Sequence, residues 1–348
     1  MSPMQKKRTP HQDTRKAHIL FVAAGYPAIG MGHIYRTLML ARGLEREDRR
    51  ISYLLTNASD ACAFNHIAAH YPVFQAPPRA NLASAALALE PALVINDFLD
   101  TDAAYVAALT KAGIRVVNFE DEGTGAELAD LVVNALYESR TGDGNARLYG
   151  HRYFCLRDEF LQAVPNAFRP DVRRVLITFG GTDVSDFTRK TLDSIFPLCR
   201  EHAITMVIVA GPGYAHKNAL EDYVHTLDPG RAHIYFTHAT NVMSKEMENV
   251  ELALCSAGRT VYELAHMRIP AIVLSHHERE DMHTFARPHN GFTYLGVMRD
   301  FRPGTVRDSF ARLLDPGARR QLYDRLCRFD FSPNKPRVLS KISALLPS

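Results

Sequence analysis

The chain has 348 residues, of which 46% are hydrophobic and 23% charged, and its formal net charge is +3. This balance is typical of a globular protein that is long enough for two domains. The low net charge and the absence of a long basic stripe argue against a nucleic-acid partner.

Cysteine usage and the N-terminal segment indicate the compartment. Five widely scattered cysteines without CxxC spacing argue against a disulfide framework or a zinc site, and they favour a reducing cytoplasm. The N-terminus has no apolar leader, and no apolar run approaches the ~20 residues of a membrane span. We therefore expect a cytoplasmic protein without a membrane span, whose polar residues 1–17 form a disordered tail.

The first predicted unit is a strand, a turn and a helix. An apolar run from His18 enters the turn Gly30-Met-Gly32-His33, and apolar residues at helical spacing follow over 34–45. In such a unit, glycines let the backbone approach a ligand closely, and the helix N-terminus offers free N–H groups. The turn is not a dinucleotide fingerprint, because Tyr35 occupies the position of the third glycine, and it lacks the lysine of a Walker loop.

The histidine of this turn is the first candidate for chemistry. The positive end of the helix dipole disfavours a charged imidazole, so we expect His33 to be neutral and suited to act as a general base on water. The alternative is a tight turn that carries a solvated histidine.

Strands then alternate with helices, which implies parallel pairing and an α/β layer fold. In the first half we predict strands at 51–56, 73–76, 92–96, 114–119 and 131–134, and helices at 82–89 and 103–112. Polar residues follow three of these strands, where they would point into a cleft and bind the hydroxyls and amides of a sugar; the alternative is a set of solvated loop residues. They are Asn96, Asp97, Glu120, Asp121 and Asn134.

A stretch with two prolines and several charges, residues 163–174, is the predicted linker between a first domain over 18–162 and a second over 175–348. A second α/β series follows it. Its predicted strands lie at 174–179, 204–210, 234–236, 250–255 and 270–274, and its helices at 187–199, 242–248, 261–266, 314–329 and 337–346. Two such halves form a cleft in which ligands bind at strand C-termini.

Two loops of the second half are candidate phosphate sites. The run Ser256-Ala257-Gly258-Arg259-Thr260 joins a strand to a helix, and its small residues suit a nest of N–H groups for a diphosphate. Glu263, one turn into that helix, would accept from ribose hydroxyls, or it is merely a helix-favouring glutamate. In the run Gly180-Gly181-Thr182-Asp183, the glycines would let the backbone approach a phosphate. The alternative role of the run is structural, with Asp183 only capping the helix.

A histidine-rich segment follows the last predicted strand. His276, His277 and Glu278 do not form HExxH, because Asp281 stands where the second histidine should be. We therefore expect cleft-lining or surface histidines, with no metal site and no cofactor.

With these motifs in place, the chain resembles the PseG family, the nucleotide-sugar hydrolases of pseudaminic acid biosynthesis within the GT-B superfamily. The motifs that carry the resemblance fall in order along nearly the whole chain. Gly30 to Arg36 is like the family's GxGHxxR, 153–160 is similar to YxxLRxEF, 179–183 matches FGGxD, and 256–260 with Glu263 matches the nucleotide-binding loop.

The resemblance implies an α/β GT-B fold, with two Rossmann-like domains facing across a cleft that binds a UDP-activated acetamido-deoxy sugar. The family's catalytic histidine falls on His33, and water would attack the anomeric carbon while UDP leaves, as a step in bacterial surface-sugar biosynthesis. The implied binding residues are Gly30, Gly32, Arg36, Asp97, Asp121 and Asn134 on the sugar side, and Gly180, Gly181, Thr182, Ser256, Ala257, Gly258, Arg259, Thr260 and Glu263 on the nucleotide side.

Two alternatives stay open. One is a GT-B glycosyltransferase in which His33 activates a sugar hydroxyl, and the other is a non-catalytic protein that binds a nucleotide sugar. The sequence leaves the oligomeric state and the identity of the sugar open.

Overall fold

The computed structural model describes residues 16–24, 32–56, 61–76, 81–138, 146–240 and 242–346. The predicted disordered tail therefore lies outside the described residues, except for residues 16 and 17, and Ala17 begins the first strand. Gly30 also lies outside them.

The first half is a seven-stranded parallel sheet with the order β3-β2-β1-β4-β5-β6-β7. The interior strand β1 is buried along Ile19–Ala23, as expected for a parallel sheet covered on both faces. The strands are β1 Ala17–Ala23, β2 Arg49–Leu55, β3 Val73–Gln75, β4 Leu93–Asp97, β5 Arg115–Phe119, β6 Leu131–Asn134 and β7 Arg147–Tyr149. The helices are α1 Gly32–Leu44, α2 Ala61–Ala68, α3 Leu82–Leu87, α4 Ala103–Lys111 and, after the sheet, α5 Asp158–Gln162.

The second half also contains a parallel sheet, which has six strands in the order β10-β9-β8-β11-β12-β13. Its strands are β8 Arg174–Thr178, β9 Thr205–Ala210, β10 Ile234–His238, β11 Leu252–Ser256, β12 Ala271–Ser275 and β13 Phe292–Val297. The helices are α6 Phe187–Glu201, α7 Lys217–Leu227, α8 Met243–Met247, α9 Thr260–His266, α10 Glu278–Asp281, α11 Pro303–Leu314, α12 Pro316–Leu326 and α13 Asn334–Ser343.

The strand order of each sheet reverses at one point, between β1 and β4 in the first half and between β8 and β11 in the second. A crevice opens at such a switch point, outside the carboxyl ends of the strands. The two crevices face one cleft, so the predicted fold of two Rossmann-like domains across a cleft is confirmed.

The two halves share a hydrophobic core beneath the cleft. Tyr262 of α9 is stacked between two rings: Phe154, from the segment before α5, at 3.9 Å between centroids, and Phe285 at 4.3 Å. The Tyr262 hydroxyl donates to the carbonyl of Ala135, which follows β6. These buried contacts join the two halves at the base of the cleft.

The last helix returns to the first half. Val338 and Ile342 of α13 are fully buried in the core of the first sheet, and a Cβ atom at Gly43 of α1 would lie 2.5 Å from Cδ1 of Leu339. The domain limits stay a prediction. That prediction assigned α13 to the second half, whereas the helix packs against the first half. Within the described residues, no helix has both the length and the apolar character that crossing a membrane requires.

We expect Ile342→Ala to lower the free energy of unfolding by about 2–4 kcal/mol, because it leaves a cavity in the core of the first half. The matched control is Ser340→Ala on the exposed side of the same helix, which should change stability by less than about 0.5 kcal/mol. Urea unfolding followed by circular dichroism gives both values. Equal effects of the two substitutions would contradict the packing of α13 described above.

Candidate active site

A cleft of about 740 Å³ lies between the carboxyl ends of the two sheets. Both halves supply its lining. Of the residues predicted from the sequence, it brings together Gly32, His33, Arg36, Gly180, Gly181, Thr182, Ser256, Gly258, Arg259, Thr260 and Glu263.

His33 is held by a buried carboxylate. Its Nδ1 lies 2.5 Å from Oδ1 of Asp97, the last residue of β4, and the side chain of His33 is 12% exposed while that of Asp97 is 0% exposed. An ionised carboxylate only accepts hydrogen bonds, so Nδ1 carries a proton, and in the neutral ring the lone pair then lies on Nε2. Since His33 lines the cleft, Nε2 is the basic atom available to a ligand.

Arg36, one turn further along α1, clamps the same carboxylate. Its Nε and Nη2 donate to the two oxygens of Asp97 at 2.6 and 2.5 Å, and its Nη1 donates to Oε1 of Glu120 at 2.9 Å. Burial alone would raise the pKa of Asp97, but Arg36 and His33 outweigh that effect and hold it at about 2. Asp97 is therefore ionised at neutral pH and can stabilise a proton on His33.

Glu120 adds a second carboxylate and a strained backbone. It follows β5 with a φ of 52°, in the left-handed region that non-glycine residues rarely adopt. Its Oε2 accepts from the amide of Leu136 at 3.3 Å. Burial raises the pKa of Glu120, and the charge of Arg36 only partly offsets this.

Arg259 brings a cation from the second half to the same place. A Cβ atom at Gly32 would lie 3.2 Å from Cδ of Arg259, and the guanidinium sits 4.6 Å from the ring centroid of Phe154. Its one hydrogen bond within the described residues is a long one, 3.5 Å to the carbonyl of Cys155. Burial, and then repulsion by Arg36, lower the pKa of Arg259 to about 10. Arg259 is thus a half-buried cation without an ion-pair partner among the described residues.

The two predicted phosphate loops face each other beside Arg259. Gly180 has a φ of 79°, which favours glycine, and a Cβ atom there would lie 3.8 Å from Oγ of Ser256. The amides of Gly258 and Arg259 donate no hydrogen bond to any described residue. Asp183, in contrast, caps α6: its two oxygens accept from the amides of Phe187 and Thr188 at 2.8 Å. Of its two predicted roles, the structure assigns Asp183 that of the cap.

Glu263 lines the cleft with one oxygen already paired. Its Oε1 accepts from Nε and Nη2 of Arg157 at 3.2 and 3.0 Å, and Arg157 also pairs with Glu159 at 2.6 Å. A ribose contact by Glu263 stays a prediction. The sequence reasoning did not select Arg157 as a site residue, although it lies in the segment similar to YxxLRxEF.

Several predicted sugar-binding residues belong to the framework instead. Asp121 accepts from the amides of Thr101 and Gly123, from the Thr101 hydroxyl and from Asn118, while Asn134 bonds to the backbone of Asp121. Neither Asp121 nor Asn134 lines the cleft. Asp97 and Ala257 do not line the cleft either. Asp97 is hydrogen-bonded to His33, which does line it, and the carbonyl of Ala257 accepts from His283. The reason is that polar groups at buried strand ends must first satisfy one another.

The histidine-rich segment also lines the cleft, without forming a metal site. Burial lowers the pKa of both His276 and His283 to about 4, so both rings are neutral at pH 7. Nδ1 of His276 bonds to the Ser185 hydroxyl at 2.9 Å. Among the described side chains, no group of three histidines, cysteines or carboxylates is arranged to hold a metal ion.

Two curated proteins are distant relatives of the chain. The chain is 27% identical over 280 residues to the spore coat polysaccharide biosynthesis protein SpsG of Bacillus subtilis, covering 77% of this chain and 80% of that protein. It is 24% identical over 273 residues to an uncharacterized protein of Methanocaldococcus jannaschii, covering 75% of this chain but only 56% of that protein's length. No family model matches the chain.

Solved structures show the fold. MurG of Acinetobacter baumannii superposes with a TM-score of 0.67 at 16% identity, covering 94% of this chain and 99% of MurG. UDP-GlcNAc 2-epimerase of Neisseria meningitidis, solved with UDP-GlcNAc bound, gives a TM-score of 0.61 at 11% identity and covers 94% and 100%. The chain therefore has the GT-B fold.

We expect Arg36→Met to lower the free energy of unfolding by about 3–5 kcal/mol, because it leaves two buried carboxylates without their cation. Arg42→Met, at an exposed position of the same helix, is the control and should cost less than about 0.5 kcal/mol. Thermal or urea unfolding measures the difference. Comparable stabilities of the two variants would mean that Arg36 does not neutralise Asp97 and Glu120.

Acid should reveal the ion pair of Asp97. Because the folded pKa is about 2 and the ordinary value is 3.8, the unfolded chain takes up this proton at a higher pH than the folded chain does. The resulting stabilisation is complete above the ordinary value and is lost as the pH falls through the folded value. Between about pH 5 and about pH 2, wild type should lose on the order of 2 kcal/mol more unfolding free energy than Asp97→Asn. Parallel pH profiles in urea unfolding would refute this.

Proposed function

We propose that the protein hydrolyses a UDP-activated sugar at its anomeric carbon and releases UDP, in the manner of the PseG-like nucleotide-sugar hydrolases. His33 takes a proton from the attacking water, and the second half holds the diphosphate. The observation that carries this proposal is the placement of an imidazole nitrogen and a guanidinium at the two sides of one cleft, the guanidinium having no ion-pair partner in the part of the chain that the structure describes.

The first half supports the base. Asp97 fixes the proton on Nδ1 of His33, so Nε2 can accept one from water, and the ionised carboxylate then stabilises the imidazolium that forms. Arg36 keeps Asp97 from turning away. The proton of the water ends on Nε2, the hydroxyl oxygen bonds to the anomeric carbon, and the bond to the diphosphate oxygen breaks.

The second half supports the leaving group. Arg259 is repelled by Arg36, so a diphosphate beside it relieves an unfavourable arrangement of charges. The free amides of Gly258 and Arg259 add donors to the same anion. A nucleotide with uracil is chosen because the GT-B neighbour from Neisseria was solved with UDP-GlcNAc, and SpsG is named for polysaccharide biosynthesis.

The test is incubation of the purified protein with a panel of UDP-sugars while free UDP is measured. Release of UDP in water without an added acceptor supports the hydrolase. The second candidate is a glycosyltransferase, which the same base and the MurG-like fold also suit; release that requires a hydroxyl acceptor would favour it. A changed sugar that stays attached to UDP would indicate an epimerase, and tight UDP binding without turnover would indicate a binding protein.

We expect His33→Ala to reduce turnover by about 10²–10⁴-fold, because it removes the general base. The affinity for UDP should change by less than about threefold, since the nucleotide is proposed to bind the second half. His70→Ala, an exposed histidine of the same half, is the matched control and should leave both unchanged. Loss of UDP affinity together with turnover, measured by calorimetry and UDP release, would make His33 a binding or structural residue.

A further inference from the structure

Besides Arg259, a second arginine of the second half contacts the first half, at the edge of the site. Arg279, in the short helix α10 after β12, donates from Nη1 and Nη2 to the two oxygens of Asp100 at 2.7 and 2.9 Å. Asp100 lies three residues beyond Asp97 in the loop that follows β4. The amide of Glu122 also donates to Asp100, at 3.0 Å, which fixes the carboxylate that receives the arginine.

The same guanidinium touches Glu120. Nη2 of Arg279 donates to the main-chain carbonyl of Glu120 at 3.2 Å, while the side chain of Glu120 accepts from Arg36 at 2.9 Å. Glu120 therefore accepts hydrogen bonds from an arginine of each half: its carbonyl accepts from Arg279, and its carboxylate accepts from Arg36. Its left-handed φ of 52° is a conformation that needs support from its surroundings, and Arg279 supplies part of that support.

A continuous series of polar contacts thus leads from the second half to the imidazole. It runs from Arg279 to Glu120, from Glu120 to Arg36, from Arg36 to Asp97, and from Asp97 to His33, and its longest step is the 3.2 Å contact of Arg279. The Glu120–Arg36 and Arg36–Asp97 steps are buried, and the Asp97–His33 step is partly buried.

We propose that Arg279 is a positioning residue for His33. When Arg279 is bonded to Asp100 and to the carbonyl of Glu120, the carboxylate of Glu120 holds Arg36 in place. Arg36 then has the orientation that aligns Asp97 with Nδ1 of His33. The base is then fully aligned only when the nucleotide-side half is docked on the sugar-side half. This inference rests on the proposed catalytic role of His33.

The exposure of the side chains supports different roles for the Arg279–Asp100 pair and the Arg36–Asp97 pair. The side chains of Arg279 and Asp100 are 28% and 42% exposed, whereas those of Arg36 and Asp97 are 5% and 0% exposed. A solvated ion pair is weak and breaks easily, while a buried one persists. The ion pair of Arg279 and Asp100 can therefore break and re-form during turnover, while the Arg36–Asp97 pair stays intact.

The test compares Arg279→Ala with Arg299→Ala. Arg299 is the matched control, because it also pairs with a carboxylate of α10, Glu278, but contacts no residue of the first half in the described structure. With a UDP-sugar that wild type hydrolyses, Arg279→Ala should lower kcat by about tenfold or more, while KM and the Kd for UDP change by less than about threefold. Arg299→Ala should leave all three unchanged. A loss confined to KM would make Arg279 a substrate-binding residue and overturn the proposal.

Nitrogen-15 NMR of the His33 ring gives a readout that needs no turnover. In the UDP-bound wild-type protein, the signals should show a proton on Nδ1 and a lone pair on Nε2, with assignment from His33→Gln. In Arg279→Ala the two tautomers should mix, and Arg299→Ala should match wild type. Unchanged His33 signals in Arg279→Ala would refute positioning, even if activity were lost. If wild type hydrolysed no UDP-sugar, the proposed function would be wrong. The NMR comparison would still show whether Arg279 positions the ring of His33.

The route through Glu120 is tested by a double variant. If Arg279 acts through Glu120, adding Arg279→Ala to Glu120→Gln should reduce kcat by less than about twofold beyond the single Glu120 variant, since both remove the same support. Full additivity of the two effects on kcat would show that Arg279 acts by another route and would overturn the proposal.

Discussion

The site depends on one buried ion pair, between Arg36 and Asp97. The carboxylate could not stay ionised in a fully buried position without the guanidinium, and without the carboxylate the ring of His33 would have no fixed tautomer. The pair joins α1 to the end of β4, the two elements that flank the switch point of the first sheet. Fold and chemistry are therefore coupled at this contact, because the strand order itself brings the partners together.

Charge balance explains how a second cation is tolerated nearby. Arg36 is bonded to both Asp97 and Glu120, and the same carboxylates attract Arg259 from a greater distance. Arg259, however, has no ion-pair partner among the described residues, and it belongs to the second half. We therefore expect the ligand on this side of the cleft to be an anion that pairs with Arg259 directly. A neutral glycoside without a phosphate would leave the cation uncompensated.

The fold was largely predictable, because strands covered on both faces appear as apolar runs. Several elements were missed. Some have little buried surface: β7 has three residues, and α7 buries only Leu220 and Val224. Others, such as β13 and α11, have buried residues and were also not predicted. Predicted site residues on glycine turns, such as Gly180 and Ser256, do line the cleft. The strand-end residues Asp121 and Asn134 do not, because sequence cannot show which polar groups satisfy one another. Arg279 was missed for the same reason, since its partners lie about 180 and 160 positions earlier.

The position of α13 constrains how the chain folds during synthesis. The first sheet is made first, yet Val338 and Ile342, which complete its hydrophobic core, are translated only after all strands of the second sheet. Until then the apolar face beneath α1 is open to solvent or to chaperones. The second half can form its sheet before that moment, so the half translated later is the one that can complete its sheet first. We expect folding of the first half to end when α13 packs against it.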